Sequence, residues 1–260
     1  MKNLFLEKIK AGEKPVGSFS ELRSAYAVEC MGVAGMDYVV IDLEHGPARF
    51  VDAAEEIKAA TLRGMTPFVR VPSSDRDSVL PLLEAGAMGL IVPCVQGLEN
   101  VRQLIKHCKY PPSGERGLAF GRSSGWGQES WITSLETYFS VCNREQLLIP
   151  QCETLGCLNE LESIVALEEV AGIFVGPFDL SAAMGIPGAF NAPQFRENIV
   201  RIKDCCHAAG KFCIMYVSTP AEAAAYLELG MDSVAVGMDA ALYINMYKGI
   251  VSGLKNKWCM

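Results

Sequence analysis

Asp37-Tyr-Val-Val-Ile-Asp-Leu-Glu-His-Gly-Pro47 is the stretch on which the fold turns. Tyr38 to Ile41 is a short unbroken apolar run rich in β-branched residues, the pattern of a strand buried on both faces. Polarity then changes at once. Asp42, Glu44 and His45 arrive together where the strand ends, and Gly46-Pro47 turn the chain away. A titratable cluster at the carboxyl end of a buried parallel strand is where α/β folds place their chemistry.

Outward from this strand, apolar runs alternate with segments of helical period. On the N-terminal side, 2–10 reads as a short helix with Phe5 and Ile9 four apart, 15–20 as a strand and 22–34 as a helix. On the other side come helix 50–63, strand 66–72, helix 75–85, strand 88–95 and helix 98–108. A long irregular segment from Tyr110 to about Trp131 interrupts the rhythm with Pro111-Pro112, Arg116, Arg122 and Trp126. Loops of that length are uncommon in compact domains and often cover active sites. Helix 134–143, strand 147–153, helix 155–168, strand 172–178, helix 192–209, strand 211–217, helix 220–229, strand 232–237 and a last helix from 239 complete the alternation.

Eight strand–helix units predict an α/β fold, a (β/α)8 barrel occupying residues 1–260 as one domain, with an extra N-terminal helix. No G-x-G-x-x-G and no G-x-x-x-x-G-K-[ST] occurs, so dinucleotide-binding and P-loop sheets lose their main support. With 260 residues, half of them apolar, the chain can bury a sizeable core. A net charge of −7 argues against nucleic acid or an anionic membrane as partner. The opening residues lack the apolar core of a secretory signal, and no apolar run reaches membrane-spanning length, so a cytoplasmic location is expected. The ten cysteines lie mostly in apolar periodic segments without any Cys-x-x-Cys pair. They read as buried free thiols with no metal or redox role.

In a barrel, strand ends face one pocket. Strand two supplies Asp42, Glu44 and His45, strand three Arg70, strand five Gln151 and Glu153, and strand six Gly176, Pro177, Phe178 and Asp179. Hard oxygen donors with few sulfur or nitrogen companions favour Mg²⁺ or Mn²⁺, with Glu153 and Asp179 as ligands. Each residue also has a plainer role open to it. Glu153 can support the start of the next helix, Asp179 can cap a helix, His45 can serve the turn, and Arg70 can form a structural ion pair.

Asp-x-Glu-His-Gly-Pro at 42–47, Pro-Phe-Val-Arg-Val-Pro at 67–72, Gly-Ala-Met-Gly-Leu-Ile-Val-Pro at 86–93, Tyr-Pro-Pro-x-Gly-x-Arg-Gly at 110–117, Gln-Cys-Glu-Thr at 151–154 and Gly-Pro-Phe-Asp-Leu-Ser at 176–181 together resemble the HpcH/HpaI class II aldolases. The likeness spans nearly the whole chain. It implies a divalent-metal-dependent enzyme (Mg²⁺, Mn²⁺ or Co²⁺) that reversibly cleaves a 4-hydroxy-2-oxo acid to pyruvate, or a related 2-oxo acid, and an aldehyde through a metal-stabilised enolate. By position, Glu153 and Asp179 would hold the ion. Arg70 would bind the oxo-acid oxygens, and Gln151 with the amides of Gly176 and Phe178 would orient the carboxylate. His45 would act as base, oriented by Asp42. Glu84 stands where relatives carry an aspartate, one methylene shorter, that reaches the histidine from a neighbouring subunit. Arg122 in the irregular segment would recognise a second carboxylate on the acceptor.

The resemblance further implies a homo-oligomer, commonly a hexamer built as a trimer of dimers, with the last helix exchanged between subunits. Some relatives condense rather than cleave, so a citrate synthase of siderophore pathways acting on oxaloacetate and acetyl-CoA is a second enzymatic reading. A non-catalytic barrel that binds an oxo acid is a third. No lysine stands at a strand end, which argues against Schiff-base chemistry. Residues 215–218 and 236–239 offer little of the glycine-rich nest that a phosphate-binding barrel carries after its last strands.

Overall fold

A computed structural model of the protein describes residues 1–46 and 49–258; Pro47, expected to turn the chain after strand two, and Cys259 lie outside them. Eight parallel strands close on themselves in chain order. They are β1 (Val16–Ser20), β2 (Tyr38–Asp42), β3 (Thr66–Arg70), β4 (Gly89–Val92), β5 (Leu147–Cys152), β6 (Gly172–Val175), β7 (Phe212–Val217) and β8 (Ser233–Met238). Around them run α1 (Leu4–Lys10), α2 (Ala25–Val33), α3 (Phe50–Leu62), α4 (Arg76–Ala85), α5 (Leu98–Cys108), α6 (Leu135–Glu145), α7 (Leu155–Asn159), α8 (Leu161–Val165), α9 (Pro177–Ala183), α10 (Pro193–Ala208), α11 (Pro220–Glu228) and α12 (Asp239–Trp258). The (β/α)8 barrel expected from the alternation is the fold of the chain.

Period-2 alternation sorts the strand residues into two cores. Val39 and Ile41 face the helices in the larger cluster, while Tyr38 and Val40 face the barrel interior with Phe68, Ile149 and Phe174. Because the register pairs Asp42 with Arg70, the same alternation turns both charged side chains inward at the carboxyl-end rim. The opposite end is plugged by α1. Phe5, fully buried, meets the rings of Tyr38, Phe68 and Phe212 edge-on at 5.0–5.2 Å. Phe212 is admitted by Gly172, its register partner, where a Cβ would stand 2.3 Å from the ring. Asn3 anchors the plug by donating from Nδ2 to the carbonyls of Met88 and Glu145.

Three departures from the sequence reading matter for the site. Strand six ends at Val175 rather than at 178, because Pro177, with its preset φ and no N–H, opens α9 at its first position. Asp179 therefore lies in the first turn of a helix. The expected helix 155–168 is two short ones meeting at Glu160. The irregular segment 110–131 contains a 3-10 turn at Arg122–Gly127 and follows a helix, so it enters the barrel from the amino-end rim. It does not cover this chain's own strand-end pocket. Arg116 donates to Gln146, which in turn donates to the carbonyls of Leu83 and Ala87, all at the approaches to β4 and β5.

Candidate active site at the carboxyl ends of the strands

Asp42 and Arg70 form the rigid centre. Arg70 donates from Nε and Nη2 to the two oxygens of Asp42 at 2.8 and 2.6 Å, a bidentate fork, and its guanidinium lies 4.9 Å from the centroid of the Phe19 ring. The Asp42 side chain is fully shielded from solvent. Burial works against the charge of Arg70, but the hydrogen bonds and charge of Asp42, helped by Glu44, outweigh it and hold the guanidinium above its ordinary value. Asp42 also accepts from the amide of Glu44, fixing the turn out of β2. Asp42 thus orients Arg70 and the turn, and among the described residues no hydrogen bond joins it to His45.

Arg70 Nη1 stands 3.2 Å from Glu44 Oε2, close enough for an ion pair but out of line for a hydrogen bond, so that buried oxygen has no donor. Burial raises the Glu44 carboxyl, opposed by Arg70 and reinforced by Glu153. Glu153 accepts from the Cys94 amide at 2.6 Å and from Gln151 Nε2. The Gln151 Oε1, on a side chain almost wholly buried, has no partner. Gly176 is needed here, since a Cβ would lie 2.8 Å from Glu153 and 3.0 Å from Gln151. Its N–H donates to Cys152 at 3.3 Å, so it is not the free carboxylate donor that was expected. Among the described residues, the neighbouring amides of Phe178 and Asp179 carry no hydrogen bond.

Ligand atoms of Glu44, Cys94 and Glu153 lie within 4.8 Å of one another. Asp179, exposed on α9, is outside that cluster yet close enough for its charge to help raise the Cys94 thiol, after burial, Glu153 and Glu44. Two carboxylates, a further aspartate and two buried oxygens without donors suit a divalent cation. Sequence reasoning placed Glu153 and Asp179 here but left Glu44 out of the ligand set. It also treated Cys94 as one of the buried thiols, whereas Cys94 and Cys30 are exposed. The available signal was position: Cys94 comes two residues after β4.

His45 is largely exposed, its Nε2 3.9 Å from Glu44 Oε2, at the mouth of the pocket. Glu84 and Arg122 are elsewhere. Glu84 closes α4 at the amino-end rim, where its backbone packs on Gly121, and Arg122 donates to the carbonyl of Ala85 at 3.0 Å. Neither lines this chain's own pocket.

Beside the site lies an acidic layer that the sequence did not reveal. Glu56 on α3 is 2% exposed and pushed up to about 7, chiefly by burial, with the nearby Ser20 hydroxyl opposing the rise and Asp239 and Asp52 adding to it. A folded-state value above the ordinary 4.5 means that the native protein binds this proton more tightly than the unfolded chain. Its contribution is therefore fully favourable below about 4.5 and is lost as pH rises through about 7. Glu56→Gln, which keeps shape without charge, is expected to gain stability over the wild type across that window, by up to about 3 kcal/mol. Urea unfolding of both proteins at about pH 5 and about pH 8 measures it, and a pH-independent difference would refute the assignment.

Residues 16–246 match the family described as HpcH/HpaI aldolase/citrate lyase. The chain belongs to that family. A hydroxypyruvate/pyruvate aldolase of Agrobacterium fabrum is 33% identical over 253 residues, covering 97% of this chain and 94% of the relative. A 4-hydroxy-2-oxo-heptane-1,7-dioate aldolase of Salmonella typhimurium is 33% identical over 244 residues, covering 93% and 90%. The crystal structure of an HpcH/HpaI aldolase from Desulfitobacterium hafniense superposes with a TM-score of 0.90 at 26% identity, over 98% of this chain and 97% of that one. Among the described residues, no helix is long and apolar enough to cross a membrane.

Proposed function

We propose that the protein is a divalent-metal-dependent aldolase that reversibly cleaves a 4-hydroxy-2-oxo acid to pyruvate, or a close 2-oxo acid, and an aldehyde. The observation that carries this reading is the Asp42–Arg70 fork beside the Glu44, Cys94 and Glu153 cluster at one rim of the barrel. Glu153 and Asp179 would hold a divalent ion, which would supply Lewis acidity to the 2-oxo group. Arg70, already oriented by Asp42, directs its remaining donor edge at the oxo-acid oxygens and stabilises the negative charge that develops when the C3–C4 bond breaks. The free amides of Phe178 and Asp179 and the Gln151 side chain orient the substrate carboxylate. His45 takes the proton from the C4 hydroxyl on cleavage and returns it in the reverse direction. The test is pyruvate release from a panel of 4-hydroxy-2-oxo acids with EDTA and with Mg²⁺, Mn²⁺ or Co²⁺ restored. Activity is expected to follow the metal and to fall at least about 100-fold in Asp179→Ala. Metal-independent release, or none from any panel member, would overturn the reading.

We also propose that the active form is an oligomer of this chain. α12 presents Leu242, Ile244, Tyr247, Ile250 and Leu254 to solvent, an apolar surface of the kind that second copies cover. A neighbouring copy is also what would bring Glu84 and Arg122 to a pocket. The expected assembly is a hexamer. Ile250→Asp combined with Leu254→Asp should lower the mass measured by sedimentation, and an unchanged mass would exclude α12 from the contact.

A further inference from the structure

Glu21 leaves β1 pointing into the mouth of the barrel. Phe19 belongs to the interior core, so the two-residue period turns Glu21 the same way, one step nearer the rim. Ser20 pairs with Ile41, a register that sets Glu21 level with Asp42. Asp239, at the start of α12, accepts from the amides of Glu21 and Leu22 at 2.8 and 3.1 Å and so fixes the backbone that carries the side chain. Two residues on, Arg23 lays its guanidinium against Gly46, joining this loop to the turn that carries His45.

The Glu21 carboxylate is half-buried, and among the described residues no donor or cation partners it, since Arg70 pairs with Asp42 and Glu44 instead. Its surroundings are those of the pocket. Burial raises the Glu21 carboxyl, Asp42 and Asp239 add to the rise, and Arg70 and His45 oppose it. Across the barrel on β7, the Tyr216 hydroxyl is raised by burial, against Ser218, and further by the charge of Glu21. The Tyr216 ring meets that of Phe19 edge-on at 5.5 Å, and Phe19 in turn lies 4.9 Å from the guanidinium of Arg70.

This position belongs to the aldehyde half of the substrate. Arg70 and the free amides of α9 serve the oxo-acid half, whereas His45 serves the C4 hydroxyl, which is the oxygen of the aldehyde. A carboxylate at the mouth beside His45 therefore faces whatever is attached to C4. When ionised it only accepts hydrogen bonds, so it favours an aldehyde that carries hydroxyl groups and repels one that carries a second carboxylate. Arg122, the cation expected for a second carboxylate, is at the opposite rim of the same chain. We propose that Glu21 sets the specificity for the aldehyde half, selecting neutral, hydroxylated aldehydes and excluding carboxylated semialdehydes. The inference rests on the aldolase reading above.

The experiment is condensation of pyruvate with glyceraldehyde and with succinic semialdehyde by the full-length, metal-loaded protein and by Glu21→Gln, which keeps the shape and removes the charge. In the wild type kcat/KM for glyceraldehyde is expected to exceed that for the semialdehyde by about tenfold or more. In Glu21→Gln that ratio should fall about 10- to 100-fold, through a gain on the semialdehyde and a loss on glyceraldehyde. Raising the salt from about 0.1 M to about 1 M should lower the KM for the semialdehyde more in the wild type than in the variant, which a merely structural role would not do. An unchanged ratio in Glu21→Gln overturns the proposal, as does a wild-type preference for the semialdehyde that Arg122→Ala abolishes. Exchange of the pyruvate methyl protons in D2O, followed by NMR, needs no aldehyde and separates the two readings. Metal-dependent exchange with an unchanged ratio removes the role of Glu21 alone, and no exchange removes the aldolase reading and this proposal with it.

Discussion

Arg70→Lys is expected to lower kcat for pyruvate release by about 10²–10³-fold with little change in fold. The charge survives, but the planar fork that engages both oxygens of Asp42 does not, and a flexible ammonium is a poorer preorganised partner for charge developing on the substrate. Arg70→Ala should be worse in kind. It leaves the Asp42 carboxylate buried without its counter-ion, so unfolding measurements should show a loss of about 3–5 kcal/mol in addition to lost activity. Steady-state kinetics and urea unfolding of the two variants separate these effects. Equal stability in both would mean that the pair is not structurally coupled, and near-normal kcat in the lysine variant would remove Arg70 from the charge-stabilising role.

Phe5→Ala should destabilise the protein by about 3–5 kcal/mol without altering metal affinity. Phe5 has no exposed surface and closes the amino end of the barrel against Tyr38, Phe68 and Phe212. Truncation removes three edge-to-face contacts and opens a void that rigid strands cannot collapse to fill. Because the site lies at the other rim, thermal or chemical unfolding should report the loss while cobalt binding stays within about twofold of wild type. A loss below about 1 kcal/mol would show that α1 is a loosely attached cover.

Strand positions were readable wherever a short apolar run was bounded by turn signals. Tyr38–Asp42 and Thr66–Arg70 were found because runs buried on both faces have no other stable setting in a chain of this composition. Asp42 and Arg70 were likewise legible as neighbours at strand ends. Their bidentate pairing was not, because it depends on the register that matches one to the other across β2 and β3. Asp179 was found by its motif but assigned to a strand end, since an apolar run gives no mark of where Pro177 converts extended chain to helix. Glu56 had no signal: a glutamate on an amphipathic helix reads as solvated until the neighbouring strands are in place.

The sequence alone determined the architecture, because burial periodicity and the order of elements are local properties that a parallel barrel reads out in sequence. It also determined the residue types at the pocket and, through motifs 42–47, 67–72, 151–154 and 176–181, the family. Tertiary structure decided which of those groups meet. It turned Asp42 toward Arg70, engaged the Gly176 amide in the sheet, brought Cys94 to the carboxylates, and placed Glu84 and Arg122 at the far rim. The physical reason is that strand register, backbone dihedral angles and chain direction set distances of a few ångströms between residues far apart in sequence, and a linear pattern does not contain those distances.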